Sequence, residues 1–375
     1  MIGVKPVRLL SVCVALGSLG FQTVYAADVR INGFASVTGG ATIDQGSTPQ
    51  GDALYFVDGS HGGTYSDEIT FRPDSLYGLQ LIADMGDGLT ATGQIVGTGA
   101  NDFNAVFNWA FLSYELTPNT TLSAGRMGYP LYYYSDFLNV RYAYHWLRGP
   151  ADTYTLPINE FEGVKLRSTY DAGSVTGDVQ LFVGASESNL NGFPGAEPFV
   201  HENIIGGNSS IGNEWFELRF VALQADTYHE NEKDIASDSR FFGVTAKFEY
   251  GGLLIIGEYT DFEFDTPLTV TRQPPLPTFL NEGQSGYLSV AFTFGDFTPH
   301  ITYSTRETGI EFDTLGEFSA ENETWTIGAR WDFHPSAAAK VEFNQSEDKS
   351  SPNYQAIAGE ALSVDTLAFG VDFVF

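Results

Sequence analysis

A chain of 375 residues with 47 acidic and only 18 basic side chains, at a net charge of −29, offers no surface for neutralising phosphates, which excludes nucleic acid as a partner. Its 41 glycines, 14% aromatic residues and only 17% charged residues describe many short β-strands in an unusual solvent. The lone cysteine, Cys13, excludes a disulfide framework and any cysteine-ligated metal.

The first element is an export signal. Lys5 and Arg8 precede an apolar run from Leu9 to Phe21, and Val24-Tyr25-Ala26 supplies a small-residue cleavage site, so residues 1–26 read as a signal peptide and 27–375 as the mature domain. The run is interrupted by glycines and falls short of the roughly 20 residues a membrane-spanning helix needs. Cys13 lies inside it, which leaves the mature chain without a thiol. No later stretch is long and apolar enough for a helix to cross a bilayer, so membrane embedding would require a closed barrel.

From Val29 onward the pattern has a period of two. Sixteen strands are predicted, at about 28–43, 67–84, 88–98, 105–116, 120–128, 161–171, 174–186, 200–211, 215–228, 239–250, 253–264, 284–294, 297–307, 323–333, 337–347 and 364–375. Residues 324–333 show the alternation best: Trp325, Ile327, Ala329, Trp331 and Phe333 share one face, Thr324, Thr326, Gly328, Arg330 and Asp332 the other. A soluble β-sandwich alternates too. The connections separate the two: short turns such as Met85-Gly86-Asp87-Gly88 and Gly251-Gly252 alternate with longer polar loops. That asymmetry predicts a 16-stranded antiparallel transmembrane β-barrel with short periplasmic turns and long external loops.

Outward aromatic residues near strand ends, among them Phe242, Phe248, Tyr250, Phe292, Phe294, Trp331, Phe373 and Phe375, predict interfacial girdles. The apolar phases of the first and third strands are small instead: Gly33, Ala35, Val37, Gly39 and Ala41, then Leu89, Ala91, Gly93, Ile95 and Gly97. Such a face suits either a neighbouring protomer in a closed threefold ring or a thin lipid face. The inward phases carry Arg30, Lys165, Arg167, Arg219, Lys247 and Arg330 beside Glu217, Glu249, Asp332 and Asp372, which predicts water inside.

Between the fifth and sixth strands, Tyr129 to Pro150 holds eight aromatic rings with Asp136, Arg141 and Arg148. So many rings must be covered, by an external lid packed on itself or by insertion into the barrel. Insertion is the favoured expectation. It would bring Asp136, Arg141, Arg148, Asp152 and Glu160 into the pore as an eyelet, with carboxylates facing a basic wall across a transverse field.

The segments "DVRINGFASVTGGATI", "DSLYGLQLIADMGDGLTATGQIV", "WAFLSYELTPNTTLSAGRM" and "PLYYYSDFLNVRYAYHWLRGP" resemble the trimeric Gram-negative porins, and within them a group from marine gammaproteobacteria. The terminal Phe375 fits the same resemblance, which spans the mature chain. It implies a homotrimer in outer-membrane lipid and lipopolysaccharide, a third loop folded into the pore, and passive diffusion of small hydrophilic solutes. It also places Arg126, Lys165 and Arg167 on the pore wall and Asp136, Arg141, Arg148 and Asp152 on the loop. Gly128 and Tyr133 stand where basic residues are usual, which weakens an implied preference for anions.

No cofactor motif, metal site or catalytic set is evident, and the protein is expected not to be an enzyme. Carboxylates between Glu307 and Glu323 read as a solvated loop able to hold divalent cations against lipopolysaccharide. The acidic vestibule predicts slight cation selectivity. Two rival functions are an oligosaccharide-selective channel, with loop rings as a stacking track, and a rim-loop barrel hydrolase.

Overall fold

The structure, a computed structural model, describes residues 28–45, 47–48, 51–52, 55–58, 63–154, 158–188, 199–229, 233, 236–264, 282–312, 316–350 and 363–375. The expected signal peptide lies outside them. Sixteen strands close into one antiparallel barrel: β1 Asp28–Gln45, β2 Leu76–Asp84, β3 Leu89–Thr98, β4 Ala105–Thr117, β5 Thr120–Gly128, β6 Glu160–Ala172, β7 Val175–Ser188 and β8 Phe199–Gly212 form the first half. The second half is β9 Phe216–His229, β10 Ser237–Tyr250, β11 Leu253–Phe264, β12 Glu282–Phe292, β13 Phe297–Phe312, β14 Gly316–His334, β15 Ala337–Asp348 and β16 Ser363–Val374.

Each strand pairs with its sequence neighbours, and β1 pairs with both β2 and β16, so no edge is left open. Two-residue turns set the register at one rim. Tyr250 pairs with Leu253 across Gly251-Gly252, whose φ values of 60° and 88° match the primed turns favoured in hairpins.

Two expected boundaries are corrected. β2 begins at Leu76 instead of near 67, because Pro73 has no N–H for the ladder. The segment before it bends back onto β1, where Thr70 bridges Gly40 and the Ser66 carbonyl accepts from Thr42 N–H at 2.8 Å. β13 and β14 run on to Phe312 and from Gly316, so the long polar loop expected between Glu307 and Glu323 is instead a hairpin extension, with Glu307 opposite Glu321.

Burial follows the period of two. On β16, Leu367, Phe369, Val371 and Phe373 are exposed to the outside while Thr366, Ala368, Gly370 and Asp372 are buried inside. The same outward phase exposes Trp325, Ile327, Trp331 and Phe333 on β14 and Leu181 and Val183 on β7. Exposed apolar side chains in a continuous outer band are stable only against lipid or another apolar surface. The small outward residues of β1 are partly roofed by the chain's own rings: a Cβ on Gly33 would meet the Phe375 ring at 2.2 Å, and one on Gly39 the Phe71 ring at 2.7 Å.

Candidate functional site: the loop across the lumen

The segment from Tyr129 to Asn159, between β5 and β6, is interrupted by Pro130, Gly149 and Pro150, and among its described residues the regular structure is two short 3-10 turns, Ser135–Phe137 and Arg141–Ala143. It enters the barrel. Its seat is an apolar stretch of the inner wall, where Phe161, Phe182, Ile204, Val221, Phe241, Ile256 and Tyr287 occupy lumen-facing positions. Tyr129 packs on Phe161 with ring centroids 5.6 Å apart, Tyr132 on Phe241 at 5.9 Å and Trp146 on Tyr287 at 5.5 Å. The Tyr129–Phe161 pair is tilted and the other two are edge-to-face, and such ring pairs add to the stabilisation from burial. Tyr129, Tyr132, Tyr134, Tyr144 and Trp146 are all buried, so none presents a free face to a passing sugar.

A loop without regular structure leaves backbone groups unpaired, and in a low-dielectric interior each must find a partner. The wall supplies them. Arg219 donates to the Pro130 and Leu131 carbonyls at 2.6 and 3.2 Å. Arg330 donates to those of Tyr142 and Tyr144 at 2.6 and 2.8 Å, and Lys340 to those of Arg141 and Trp146 at 2.7 and 2.6 Å. In the other direction the loop donates to wall carboxylates. Glu258 accepts from Tyr133 N–H at 2.8 Å and Tyr154 O–H at 2.9 Å, Glu342 accepts from Leu147 N–H at 2.7 Å, and Glu217 from Tyr133 O–H at 2.9 Å. Burial, reinforced by Glu258, holds the Tyr154 hydroxyl well above its ordinary pKa and so keeps it a donor.

The deepest tie lies outside the loop. Asp74, 1% exposed and just before β2, binds Arg141 Nη1 at 3.3 Å, Arg148 Nη1 at 3.1 Å and the Tyr65 hydroxyl at 2.9 Å. Farther down, the Tyr142 hydroxyl reaches the Pro335 carbonyl, in the turn of the opposite rim, at 2.9 Å. His145 is hydrogen-bonded to Ser289 at 2.9 Å and lies against His300, ring centroids 4.9 Å apart. Burial lowers its pKa well below the ordinary histidine value, assisted by His300, Lys340 and Arg330.

The expected opposition of loop carboxylates and a free basic wall is corrected by this geometry. Arg141 and Arg148 are buried on Asp74, Asp152 accepts from Ser304 Oγ at 2.6 Å, and Arg219 and Arg330 hold loop carbonyls. Loop cations meet a carboxylate of the β1–β2 connection, and wall cations meet loop dipoles, so these charges are clamps. Arg126 is corrected as well. It stands on the outward phase of β5 opposite Glu162, in the same row as Val164 and Leu122, with ion-pair distances of 3.2 Å to Glu162 and 3.8 Å to Glu160. An irregular Gly125, φ 133°, precedes it but does not change that phase.

Lys165, Arg167 and Lys247 do line the lumen; Arg167 is paired with Asp178 at 2.5 Å and Lys247 with Glu249 at 2.8 Å. Arg30 is exposed near the short-turn rim. Across the lumen from the aromatic seat, Val140 packs on Phe34, Leu76 and Val96, so the loop bridges the barrel from wall to wall. Beside that contact a crevice remains between Ser135, Asp136 and Asn139 of the loop, Gln94 and Trp109 of the wall, and Asn159 and Glu160. Of the expected eyelet residues, Asp136 and Glu160 line this opening.

No protein-family model and no curated protein matches the chain. Solved structures do. The chain is similar to Salmonella typhi OmpF in complex with daunomycin, at 14% identity, 92% of this chain, 97% of that one and a TM-score of 0.60. It is similar to the anion-selective porin of Comamonas acidovorans, at 14% identity, 93% and 100% coverage and a TM-score of 0.58. The barrel has the fold of the outer-membrane porins. A third structure, in-vitro folded OmpT of Vibrio cholerae in trimer form, matches at 12% identity over 94% of this chain and 100% of that one, with a TM-score of 0.56.

On this porin fold, the residues that sequence reasoning missed are Asp74, Glu258, Lys340 and Glu342. Glu258, Lys340 and Glu342 carried a signal, each a charged residue on the inward phase of a predicted strand. Asp74 had none, since nothing local marks an aspartate after Pro73 as the partner of two arginines in another loop.

Proposed function

We propose that this protein is an outer-membrane channel through which ions and small hydrophilic solutes diffuse passively, constricted by the loop at 129–159. The observation that carries the reading is a barrel with an apolar outer band and a polar lumen that is bridged, not filled, by that loop, leaving charged lumen residues such as Arg167 and Glu249 exposed at 54% and 58%. Lipid and lipopolysaccharide are the outer partners that the band fits. The homotrimer is supported by a similar structure described in trimer form, and the marine grouping by the motifs at 109–127 and 130–150 alone.

In this reading nothing is catalysed. Ser289 is hydrogen-bonded to His145, but it is 0% exposed and no substrate can reach it, which disfavours this pair as a hydrolase centre. The buried loop rings likewise disfavour a sugar-stacking track. Purified protein in a planar bilayer tests the proposal. Ohmic current steps, in triplets for a trimer, are expected; saturable current with an oligosaccharide, or silence from the folded barrel, would sink the general-channel reading.

A further inference from the structure

A set of polar side chains meets on the lumen face of β6–β8, outside the crevice beside the loop. The register sets Arg167 opposite Gln180 and Gln180 opposite Asn208 in one row across the three strands, with Asp178 two residues farther along β7 and Lys165 two residues the other way along β6. Side chains directly opposite or diagonal on one face of a sheet are close enough to interact. Here Asp178 accepts from Arg167 Nε at 2.5 Å and from Gln180 Nε2 at 3.1 Å. Arg167 is 54% exposed, so the pair opens on the lumen, and Lys165 has no carboxylate partner among the described residues.

A second observation lies beneath that pair. Gln180 and Asn208 are 6% and 7% exposed, and the Gln180 Oε1 acceptor and the Asn208 Nδ2 donor are both buried without a hydrogen-bond partner, although the two residues stand opposite each other. Leaving a buried polar atom unpaired is costly, and folded proteins rarely do so. Whatever complements this patch must offer a donor to Gln180 and an acceptor to Asn208. The charges call for the same combination, a negative end toward Lys165 and Arg167 and a positive end toward Asp178. A simple anion lacks the donor and a simple cation lacks the acceptor, whereas a small zwitterion carries both within a few bonds.

Resting on the channel reading above, we propose that this patch is a binding subsite for small zwitterionic solutes of the amino-acid type. The solute carboxylate is held by Lys165, Arg167 and Asn208 Nδ2, and its ammonium by Gln180 Oε1 and Asp178. Both ends exchange part of their water for charge-assisted hydrogen bonds, while an uncharged solute of the same size makes only the weaker amide contacts.

Entry is timed by osmotic swelling of lipid vesicles carrying the full protein, with folding confirmed by heat-modifiable migration on a gel. Glycine is compared with glycolamide, its uncharged isomer, so that size cancels. Glycine is expected to enter several-fold faster, at a rate that levels off as its concentration rises. Gln180→Leu and Asp178→Asn should each bring the ratio of the two rates toward one, a quantity independent of how many barrels have inserted. Added sodium methanesulfonate, an anion without an ammonium group, should slow glycine little. Slowing to the rate of glycolamide would make Lys165 and Arg167 a bare anion site and overturn the zwitterion assignment. A wild-type ratio near one, the result if water alone fills the patch, or a ratio unchanged in both variants, also overturns it and leaves the channel reading standing. Exclusion of both solutes by vesicles bearing the folded barrel overturns the channel reading and the subsite together.

Discussion

Asp74 concentrates three partners on one buried carboxylate. Two guanidiniums and a tyrosine hydroxyl share it, and none has bulk water as a substitute. Removing one member of a buried charge pair leaves the others uncompensated, at a cost of about 3–5 kcal/mol. Asp74→Ala is therefore expected to loosen the loop without opening the barrel ladder. Faster protease cleavage within 129–159, with the heat-modifiable barrel band retained, is the predicted result; unchanged cleavage would show that Asp74 holds nothing. His145 makes the second residue-scale prediction. Its docked pKa lies below the ordinary value of about 6.5, so between those two values an undocked loop takes up a proton that the docked loop refuses. Docking is then most stable above about pH 6.5 and weakens as pH falls through that window. Protection of the loop amides, relative to their intrinsic exchange rates, should fall on acidification more in the wild type than in His145→Gln, whose amide can still bond Ser289.

At the scale of elements, the loop owes its path to matching apolar surfaces: eight aromatic rings on one segment and an apolar inner wall at β6–β12. Deleting 131–157 should keep the barrel, whose ladder does not use these residues, and raise single-channel conductance several-fold. An unchanged conductance would mean that the loop is not the constriction. The closing pair β1–β16 is held by backbone bonds and by the Phe375 ring lying over Gly33. Gly33→Leu is expected to overpack that contact by about 1–3 kcal/mol and to lower the melting temperature of the gel band, whereas Gly93→Leu, where a Cβ meets the Trp109 carbonyl oxygen at an ordinary 4.0 Å, should be mild.

How much of these elements could be read in the sequence follows from the range of the forces. Strand phase and turn position were legible because alternation and paired glycines such as Gly251-Gly252 act within a few residues. The need to bury the rings of 129–150 was legible for the same reason. The direction of each charge was not. Arg141 and Arg148 looked like free eyelet cations because their partner, Asp74, is distant in sequence, and Arg126 was placed on the wall by the resemblance alone, whereas the register of β5 sets it opposite Glu162 on the outward phase.

For the molecule as a whole, the outer band sets the solvent. A charge placed on it near the middle, as in Leu181→Arg, should destabilise the folded barrel in bilayers by about 2–4 kcal/mol, while a lumen-side change such as Lys165→Gln should alter selectivity with little loss of stability. Equal effects of the two would deny the assignment of inside and outside.

Composition and alternation alone determined a sixteen-strand barrel with an apolar exterior, because a strand's two faces must meet different solvents and that requirement is written residue by residue. Only the tertiary structure decided which charges face water, which ones clamp the loop, and that the remaining opening is acidic. Those outcomes depend on groups brought together across the barrel, where a buried charge must find its partner wherever in the chain that partner lies.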